Sequence, residues 1–272
     1  MASERATAEV SRPRRRKVKI VDEIIESLRQ DIVTRRLPDG GRLPSEKELS
    51  DQFGVSQPTV REAIRALETM GLIEVLHGSG TFVRSQGDYA LASALQTLLQ
   101  LEDVGIMEVL AIRQVLGRHS IEQAAVRATE ADLEAIAAAC AYFDDVAGKQ
   151  DAEAIVAHVL KFQTAVSAAA ASPLLRSLEG FLLGLLQAVQ ASSLSGKGVQ
   201  FWRTRALAFQ PHRVAILAGL RSRDPVKARR AMDRYFDAQR ERFEQDAHLR
   251  TLNLSSPGLI DVVSDMVRLI KK

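Results

Sequence analysis

The feature that most constrains the fold is a pair of short amphipathic segments joined by a single glycine, Gly54. The two segments read PSEKELSDQF and VSQPTVREAIRAL. Ser45 stands three residues before Glu48, which is the spacing of a capping box, so we predict a helix that begins after Ser45 and ends before Gly54. Ser56 and Pro58 predict the start of a second helix, because serine is a good N-cap and the first helical turn does not need the N–H that proline lacks.

Two helices of this length bury too little apolar surface to fold alone, and the flanking sequence supplies the remainder. Upstream, apolar residues recur with helical spacing from Val21 to Val33. Downstream, LIEVLHGSGTFV alternates around a turn at Gly78–Gly80 and predicts a β-hairpin. A helical brace, two helices on a tight turn and a closing hairpin make a winged helix-turn-helix, whose second helix is shaped to enter the major groove of DNA.

Residues 43–83 resemble the DNA-binding domain of the GntR family of transcription regulators. The shared pattern is LPSE.EL…FGVS..TVREAI..L…GLI….G.GTFV, and it is nearly continuous over this stretch. The resemblance implies that the helix-turn-helix and the tip of the wing contact DNA. The positions implied are Lys47, Ser56, Gln57, Thr59, Arg61, Arg65, His77 and Gly78.

One of these positions departs from the family pattern. Gln57 stands just before the recognition helix, where the family commonly has an arginine. In direct readout, arginine favours guanine and glutamine favours adenine. We therefore expect the preferred operator to differ from the usual family site.

Positive charge is concentrated before this domain. The net charge is only +3, yet SRPRRRKVK holds six basic residues in one short stretch. Such runs are usually disordered, so residues 1–17 are predicted to form a basic arm, followed by the winged domain at residues 18–84. The arm is either a solubilising tail or an extension that contacts phosphates, and the domain that follows it favours phosphate contact.

The rest of the chain carries helical periodicity without a second strand pattern. A linker at residues 85–103 precedes a helical segment at 104–246, and a tail at 247–272 has room for one more helix. Breaks in the periodicity fall at Gly148, Ser172–Pro173, SGKG, Gln210–Pro211 and Asp224–Pro225. These breaks predict six or seven helices. The fold class is therefore mainly α: a winged helix-turn-helix with a small β-hairpin, followed by an all-helical bundle.

The helical part resembles the FCD-type effector domain of the FadR subfamily, through IRQVLGRHSIEQAA and HRVAILAGLRSRDPVKARRAM. Many such domains bind a divalent metal through an aspartate and three histidines. The resemblance places other residues at those positions: Val159, Gln163, Arg213 and Tyr235. None of these is a good metal ligand. His158 and His212 are each one residue away, so a metal would require a shift of helical register, and we expect no metal and no other cofactor.

Two arginines fall on apolar faces of the predicted helices. At about 100° per residue, Arg113 shares a face with Val109, and Arg213 shares one with Ile216. A buried guanidinium is costly without an anion, so each arginine needs a protein carboxylate or an anionic ligand. Either a structural salt bridge or a bound organic anion would satisfy this need. Two inward-facing arginines in one bundle favour the organic anion. The effector-binding candidates are Arg113, Gln163, Arg213 and Tyr235.

Other patterns argue against an enzyme and against a membrane protein. The sequence holds no catalytic triad, carboxylate pair or phosphate loop, so no catalytic residue is assigned. No apolar run approaches the roughly 18 residues that span a bilayer, and we expect a cytoplasmic protein. The single cysteine, Cys140, lies in the stretch AIAAACAYF and is predicted to be buried and inert.

These expectations combine into a ligand-responsive transcription regulator. Its partners would be a palindromic double-stranded DNA operator, a second copy of the chain in a homodimer, and a small-molecule effector, either a carboxylate or an acyl thioester. The main hypothesis is a repressor that the effector releases from DNA. Two alternatives stay open, namely an activator and a DNA-binding dimer whose helical domain only dimerises.

Overall fold

The computed structural model of the chain describes residues 12–76, 78–84 and 87–271, with side chains described from residue 18 to residue 270 of these ranges. Contacts divide the chain into an N-terminal unit that ends at Ala90 and a C-terminal unit that runs from Leu91 to Ile270. Within the described residues, no helix is both long enough and apolar enough to cross a membrane.

The N-terminal unit is built on three helices and a β-hairpin. Their bounds are α1 Arg12–Val33, α2 Glu46–Phe53, α3 Gln57–Thr69, β1 Ile73–Leu76 and β2 Gly80–Val83. The two strands pair antiparallel, with Ile73 opposite Val83 and Leu76 opposite Gly80. The winged helix-turn-helix that the sequence predicts is therefore confirmed.

The two short helices begin and end where their capping residues require. Ser45 Oγ accepts a hydrogen bond from the Glu48 amide at 3.3 Å, and the Glu48 carboxylate accepts one from the Ser45 amide at 2.7 Å. Gly54 ends α2 with a left-handed φ of 64°, which glycine adopts without steric cost. Ser56 occupies the N-cap of α3, but its hydroxyl lies 2.9 Å from the Thr59 hydroxyl and does not cap the helix.

Helix α1 closes the core of the N-terminal unit and begins earlier than expected. The buried cluster joins α1, α2, α3 and the hairpin, and includes Ile24, Leu28, Leu49, Val60, Ala63 and Leu67. Because α1 begins at Arg12, the predicted disorder is wrong for residues 12–17, while residues 1–11 lie outside the described residues. Arginine and lysine are good helix formers, and each residue added to a nucleated helix gains a backbone hydrogen bond.

The C-terminal unit is an α-helical bundle. Its helices are α4 Gly87–Leu101 (which begins before the unit boundary), α5 Ile106–Arg127, α6 Glu130–Ala141, α7 Ala152–Ala168, α8 Pro173–Ser193, α9 Val199–Arg221, α10 Pro225–Gln245, α11 Ala247–Arg250 and α12 Pro257–Lys271. A single 3₁₀ turn at Val146–Gly148 follows α6. Six α-helices, α5 to α10, lie within residues 104–246, in agreement with the predicted six or seven.

One predicted break in the bundle is wrong. Helix α9 runs through Pro211 without interruption, although the proline has no N–H to donate to the Leu207 carbonyl. Both residues lie on the exposed side of α9. Water can therefore solvate the carbonyl, and the helix loses one hydrogen bond without burying an unpaired polar group.

Glycines allow α5, α9 and α10 to pack closely. A Cβ atom on Gly117 of α5 would lie 2.5 Å from the ring of Phe236 on α10. A Cβ atom on Gly219 of α9 would lie 2.7 Å from Ala228 Cα on α10. Around these contacts the unit buries its main apolar cluster, which includes Ile121, Ile136, Phe162, Ile216 and Leu220. The position of α9 relative to α10 thus depends on the absence of a side chain at residue 219.

The single cysteine is buried, as the sequence predicts. Cys140 on α6 belongs to the main apolar cluster, and the side-chain amide of Gln210 on α9 donates to its backbone carbonyl at 3.2 Å. Burial raises the pKa of the Cys140 thiol. The thiolate, which is the reactive form, is therefore scarce in the folded protein.

The C-terminal tail forms two helices and packs within the C-terminal unit. The Ile106 amide at the start of α5 donates to the Leu252 carbonyl at 3.0 Å. On α12, Ser264 Oγ accepts from the side-chain amide of Gln96 on α4 at 2.7 Å. The short helix α11 is additional to the one tail helix that the sequence suggests.

Replacing Gly219 by alanine tests the close packing of α9 on α10. We expect Gly219→Ala to lower the free energy of unfolding by about 1 to 3 kcal/mol, because the added methyl group meets backbone that cannot swing away. The matched control is Gly180→Ala on α8, where no atom lies within 4 Å of the added Cβ, and which should raise stability by about 0.5 to 1 kcal/mol. Chemical unfolding followed by circular dichroism measures both, and equal shifts would contradict the packing described.

Candidate nucleic-acid interface and ligand cavity

The outward face of α3 carries three of the predicted DNA contacts. Gln57, Arg61 and Arg65 are exposed at intervals of four residues, while Val60 and Ile64 are buried on the opposite side. Residues four apart lie on one face of a helix. This face therefore presents one amide and two guanidinium groups, which are side chains that bind base edges and phosphates.

Arg61 is held by a carboxylate from the preceding helix. Its Nε and Nη2 atoms donate to Glu46 Oε2 at 3.1 and 3.0 Å, and both side chains remain partly exposed. An exposed ion pair contributes little to stability, but it restricts the rotamers of the guanidinium. Because the pair uses the Nε–Nη2 edge, the Nη1 side is available to a nucleic-acid acceptor.

The remaining predicted contacts are divided among exposed, buried and undescribed positions. Lys47, Ser56 and Gly78 are exposed, and Gly78 has a left-handed φ of 79° in the turn of the wing. Thr59 is only 6% exposed, and its hydroxyl is paired with that of Ser56, so it lies inside the helix-turn-helix rather than on its outward face. His77 lies outside the described residues.

The C-terminal unit contains a cavity between α7, α8, α9 and α10. The residues that line it are Ile155, Val156, Val159, Gln163, Gln187, Gln190, Trp202, Arg205, Ala206, Phe209, Arg213, Tyr235 and Gln239. Its volume is about 40 Å³, which is room for a few water molecules or a very small ligand. Three of the four predicted effector-binding residues line this cavity, namely Gln163, Arg213 and Tyr235.

Arg213 places a positive charge in the wall of the cavity. The residue is 1% exposed, its Nη1 donates to the Ala206 carbonyl at 2.9 Å, and its Cζ lies 3.7 Å from the centre of the Phe143 ring. Its Nε has no hydrogen-bond partner among the described residues. Burial lowers the pKa of Arg213, but arginine remains protonated in proteins. The cavity wall therefore carries a buried cation that lacks a full set of acceptors.

Arg113 lies behind the cavity and does not line it. Its Nη1 donates to Gln239 Oε1 at 3.0 Å and its Nη2 donates to Gln163 Oε1, while burial lowers its pKa. Because a guanidinium only donates, it holds both amide oxygens towards itself, and the amide N–H groups remain available to the cavity. Arg113 thus orients two glutamines that line the cavity and does not reach the cavity itself.

Sequence reasoning missed a third arginine of this site, Arg205 on α9. Its Nη2 donates to Gln190 Oε1 at 2.7 Å, and its Cζ lies 6.0 Å from the centre of the Phe243 ring. Burial lowers the pKa of Arg205 to about 10, so the side chain is cationic at neutral pH. The signal was a helical stripe with spacings of three, four, seven and eleven residues: Trp202, Arg205, Ala206, Phe209 and Arg213.

The positions that the family resemblance assigns to metal ligands meet at this cavity. All four of them line it: Val159, Gln163, Arg213 and Tyr235. The two nearby histidines are engaged elsewhere, because His158 stacks on Tyr142 with ring centres 3.4 Å apart, and His212 borders Phe209. Across the described ranges, no group of three or more His, Cys, Asp or Glu side chains is placed to hold a metal ion.

The two units match two known protein-family models. The model described as bacterial regulatory proteins, gntR family, matches residues 20–83, and the FCD domain model matches residues 108–238. A winged helix-turn-helix joined to an FCD domain defines a class of transcription regulator. The matched regions together cover more than half of the chain, which therefore belongs to the GntR family, and the FCD domain is compatible with the FadR subfamily. This is a family of regulators, not of enzymes.

Individual relatives are similar over parts of the chain. An uncharacterised HTH-type transcriptional regulator of Mycobacterium tuberculosis is 35% identical over 149 residues, which is 53% of this chain and 62% of the relative. The galactonate operon transcriptional repressor of Escherichia coli is 29% identical over 214 residues, 77% of this chain and 90% of the relative. For the first six relatives, the alignments span 29% to 62% of the relatives' own length.

The fold is also found among solved structures. A GntR protein of Streptococcus agalactiae superposes with a TM-score of 0.61 and 22% sequence identity, covering 81% of this chain and 99% of that one. At this identity the similarity shows the fold alone. It confirms the architecture of a winged helix-turn-helix followed by a helical domain.

Truncating Arg61 tests the outward face of α3 as a DNA interface. We expect Arg61→Ala to weaken binding to the preferred duplex by about 1 to 3 kcal/mol if the guanidinium reads a base, and by less if it contacts only phosphate. The preferred duplex is first selected from a random library with the unsubstituted protein, and a gel-shift assay then measures affinity. Arg29→Ala on α1 is a matched control, because Arg29 is also exposed and paired with a carboxylate, Glu26. Unchanged binding by Arg61→Ala would remove this residue from the interface.

Elemental analysis tests the expectation that the cavity holds no metal. Protein purified without chelator should contain zinc, nickel and manganese well below one atom per chain, because valine, glutamine, arginine and tyrosine make a poor ligand set. Adding stoichiometric Zn²⁺ should leave the melting temperature unchanged. One tightly bound metal per chain would show that His158 and His212 turn inward in solution.

Proposed function

We propose that the chain is a homodimeric, ligand-responsive repressor that binds a palindromic operator in the bacterial cytoplasm and is released by a small organic anion. The N-terminal unit reads DNA through α3 and the wing, and the C-terminal unit binds the effector. One observation carries the effector assignment: Arg213 is buried in the wall of a cavity, and no carboxylate pairs with it among the described residues.

An anion in the cavity would offset the cost of this buried charge. Taking an ion out of water costs several kcal/mol unless a counter-ion and hydrogen bonds replace the water. A carboxylate would accept hydrogen bonds from the arginine fork, and Gln163 and Tyr235 would donate neutral hydrogen bonds beside it. A volume of about 40 Å³ favours a small carboxylate over an acyl thioester, the other effector class that we expect from the sequence.

Homodimerisation supplies what one winged helix lacks. A single recognition helix contacts too few base pairs to select a genomic site, and a two-fold dimer that reads two half-sites doubles those contacts. On α5, Ile112, Val115 and Val126 are 51%, 62% and 67% exposed, and their spacing places them on one side of the helix. An exposed apolar stripe of this kind suits a self-associating face of the helical domain.

Release from DNA requires the effector to prefer one arrangement of the dimer. A ligand that binds two arrangements equally well shifts neither, however tightly it binds. The buried arginines would give the effector different affinities for the two arrangements. An arrangement that closes the cavity around an anion gains charge pairing that an open arrangement lacks. One relative is named a galactonate operon transcriptional repressor, and galactonate is a carboxylate, so the name accords with repression and with an anionic effector.

A second candidate function is a DNA-binding dimer whose helical domain has no effector. The small volume of the cavity favours this alternative, because side chains and a few water molecules would fill about 40 Å³. The melting temperature with and without a carboxylate distinguishes the two functions. Only an effector-responsive protein gains thermal stability from a carboxylate that binds its native state. Transcription of an operator-linked template in vitro separates a repressor from an activator.

Removing the Arg213 guanidinium tests the proposed function. Arg213→Met, which keeps most of the volume, and Arg213→Ala should bind the selected duplex as the parent protein does but should no longer be released by the carboxylate that best stabilises the parent. The reason is that the charge that distinguishes the two dimer arrangements is lost. Gel shifts with and without that carboxylate measure the effect. Arg221→Ala is the control, because Arg221 is an exposed arginine on the same helix, and release of the Arg213 variants at parental effector concentrations would refute the assignment.

A further inference from the structure

The cavity is lined by a second buried cation besides Arg213. Arg205 lines the cavity with Arg213, but the two guanidinium groups have different surroundings. Arg213 stacks on Phe143, which follows α6, whereas Arg205 is hydrogen-bonded to Gln190 on α8 and lies near Phe243 on α10. The two positive charges therefore lie at separate positions along α9, eight residues apart, in one cavity.

Nothing that lines the cavity neutralises Arg205. Burial and the positive charge of Arg242 lower the pKa of Arg205, while the negative charge of Asp246 raises it. The Asp246 carboxylate is already the N-cap of α11, where it accepts from the amides of His248 and Leu249 at 3.0 and 3.1 Å. Asp246 is not among the residues that line the cavity, and neither is any other carboxylate.

The neutral side chains that line the cavity offer donors and few acceptors. The carbonyl oxygens of Gln163 and Gln239 accept from Arg113, and that of Gln190 accepts from Arg205. With these acceptors in use, the lining offers mainly amide N–H, guanidinium N–H and the Tyr235 hydroxyl, and Gln187 alone among its glutamines keeps its oxygen clear of these arginines. A ligand that satisfies this lining must bring acceptors to both guanidinium groups.

We propose that the effector is a short dicarboxylate, with one carboxylate bound by Arg213 and the other by Arg205. This inference rests on the proposed function of the cavity as the effector site and specifies its ligand. A monocarboxylate would leave one of the two guanidinium groups without an anion, whereas a dianion compensates both. The cavity volume of about 40 Å³ favours the shortest diacids, with at most one or two carbon atoms between the acidic groups.

Binding of matched acids to the full-length protein tests this proposal. Oxalate, malonate and succinate are compared with acetate, propionate and butyrate, which have the same numbers of carbon atoms and one carboxylate fewer. Calorimetry should give the best diacid a Kd at least about tenfold below that of its monoacid, since a charged hydrogen-bonded group contributes about that factor. The monomethyl ester of the best diacid keeps its chain and should lose this advantage, a result that needs no protein variant.

Two variants then locate the second carboxylate. In Arg205→Gln the ratio of monoacid to diacid Kd should fall to within about twofold of one, because the second charge pair is gone. In Arg221→Gln, a charge change on the same helix outside the cavity, the ratio should remain at the parental value.

The outcomes separate this proposal from the proposed function. If monoacids bind as tightly as diacids and Arg205→Gln leaves the ratio unchanged, the dicarboxylate proposal is wrong, while an anionic effector at Arg213 still stands. If no acid of either series binds at any chain length, the effector site itself is refuted, and the dicarboxylate proposal falls with it. If Arg205→Gln does not fold, the ester comparison decides.

Discussion

The helical unit depends on buried guanidinium groups whose hydrogen-bond acceptors are neutral oxygens. Arg213 is anchored by a backbone carbonyl and an aromatic face, and Arg113 by two amide oxygens. These hydrogen bonds do not cancel either charge, but the buried Glu179 carboxylate partly offsets the lowering of the Arg113 pKa by burial, whereas no carboxylate acts on Arg213 in this way. The orientation of Gln163 and Gln239 follows from this, because an arginine can only donate to them. A bundle built in this way is well packed, yet Arg213 keeps a buried charge with no carboxylate partner among the described residues.

The N-terminal unit uses the same type of side chain in the opposite setting. Arg61 is about half exposed and is paired with Glu46 across two helices. In water such a pair is close to neutral in free energy, so exchanging one anionic partner for another costs little. A buried arginine makes a site that demands an anion, and an exposed paired arginine makes one that can trade a carboxylate for a base edge or a phosphate. The positions of the two kinds of arginine thus correspond to the division of labour proposed for the two units.

Much of this organisation follows from local sequence rules. The capping box at Ser45 and the glycine at position 54 determine where α2 begins and ends, because few other residues satisfy those backbone groups. Helical phase alone predicts the burial of Arg113 and Arg213. Local rules fail where the surroundings of a residue decide the outcome. Pro211 is tolerated because its side of α9 faces water. Arg113 is kept from the cavity by glutamines on other helices. Arg205 was missed because it lies about 80° around α9 from Arg213, and only Phe209, which lies between them on the helix surface, joins the two into one stripe.

The buried thiol of Cys140 has a practical consequence for anyone who studies this protein. The chain has one cysteine, and it lies where α6 meets α9, with its backbone carbonyl bonded to Gln210. A thiol reagent can reach the sulfur only when those helices separate, so its rate of modification reports the free energy of that local opening. The rate at which Cys140 is modified therefore measures how often the bundle opens locally at this contact. No engineered label is needed for this measurement. Any condition that holds α6 and α9 together should slow the modification of Cys140.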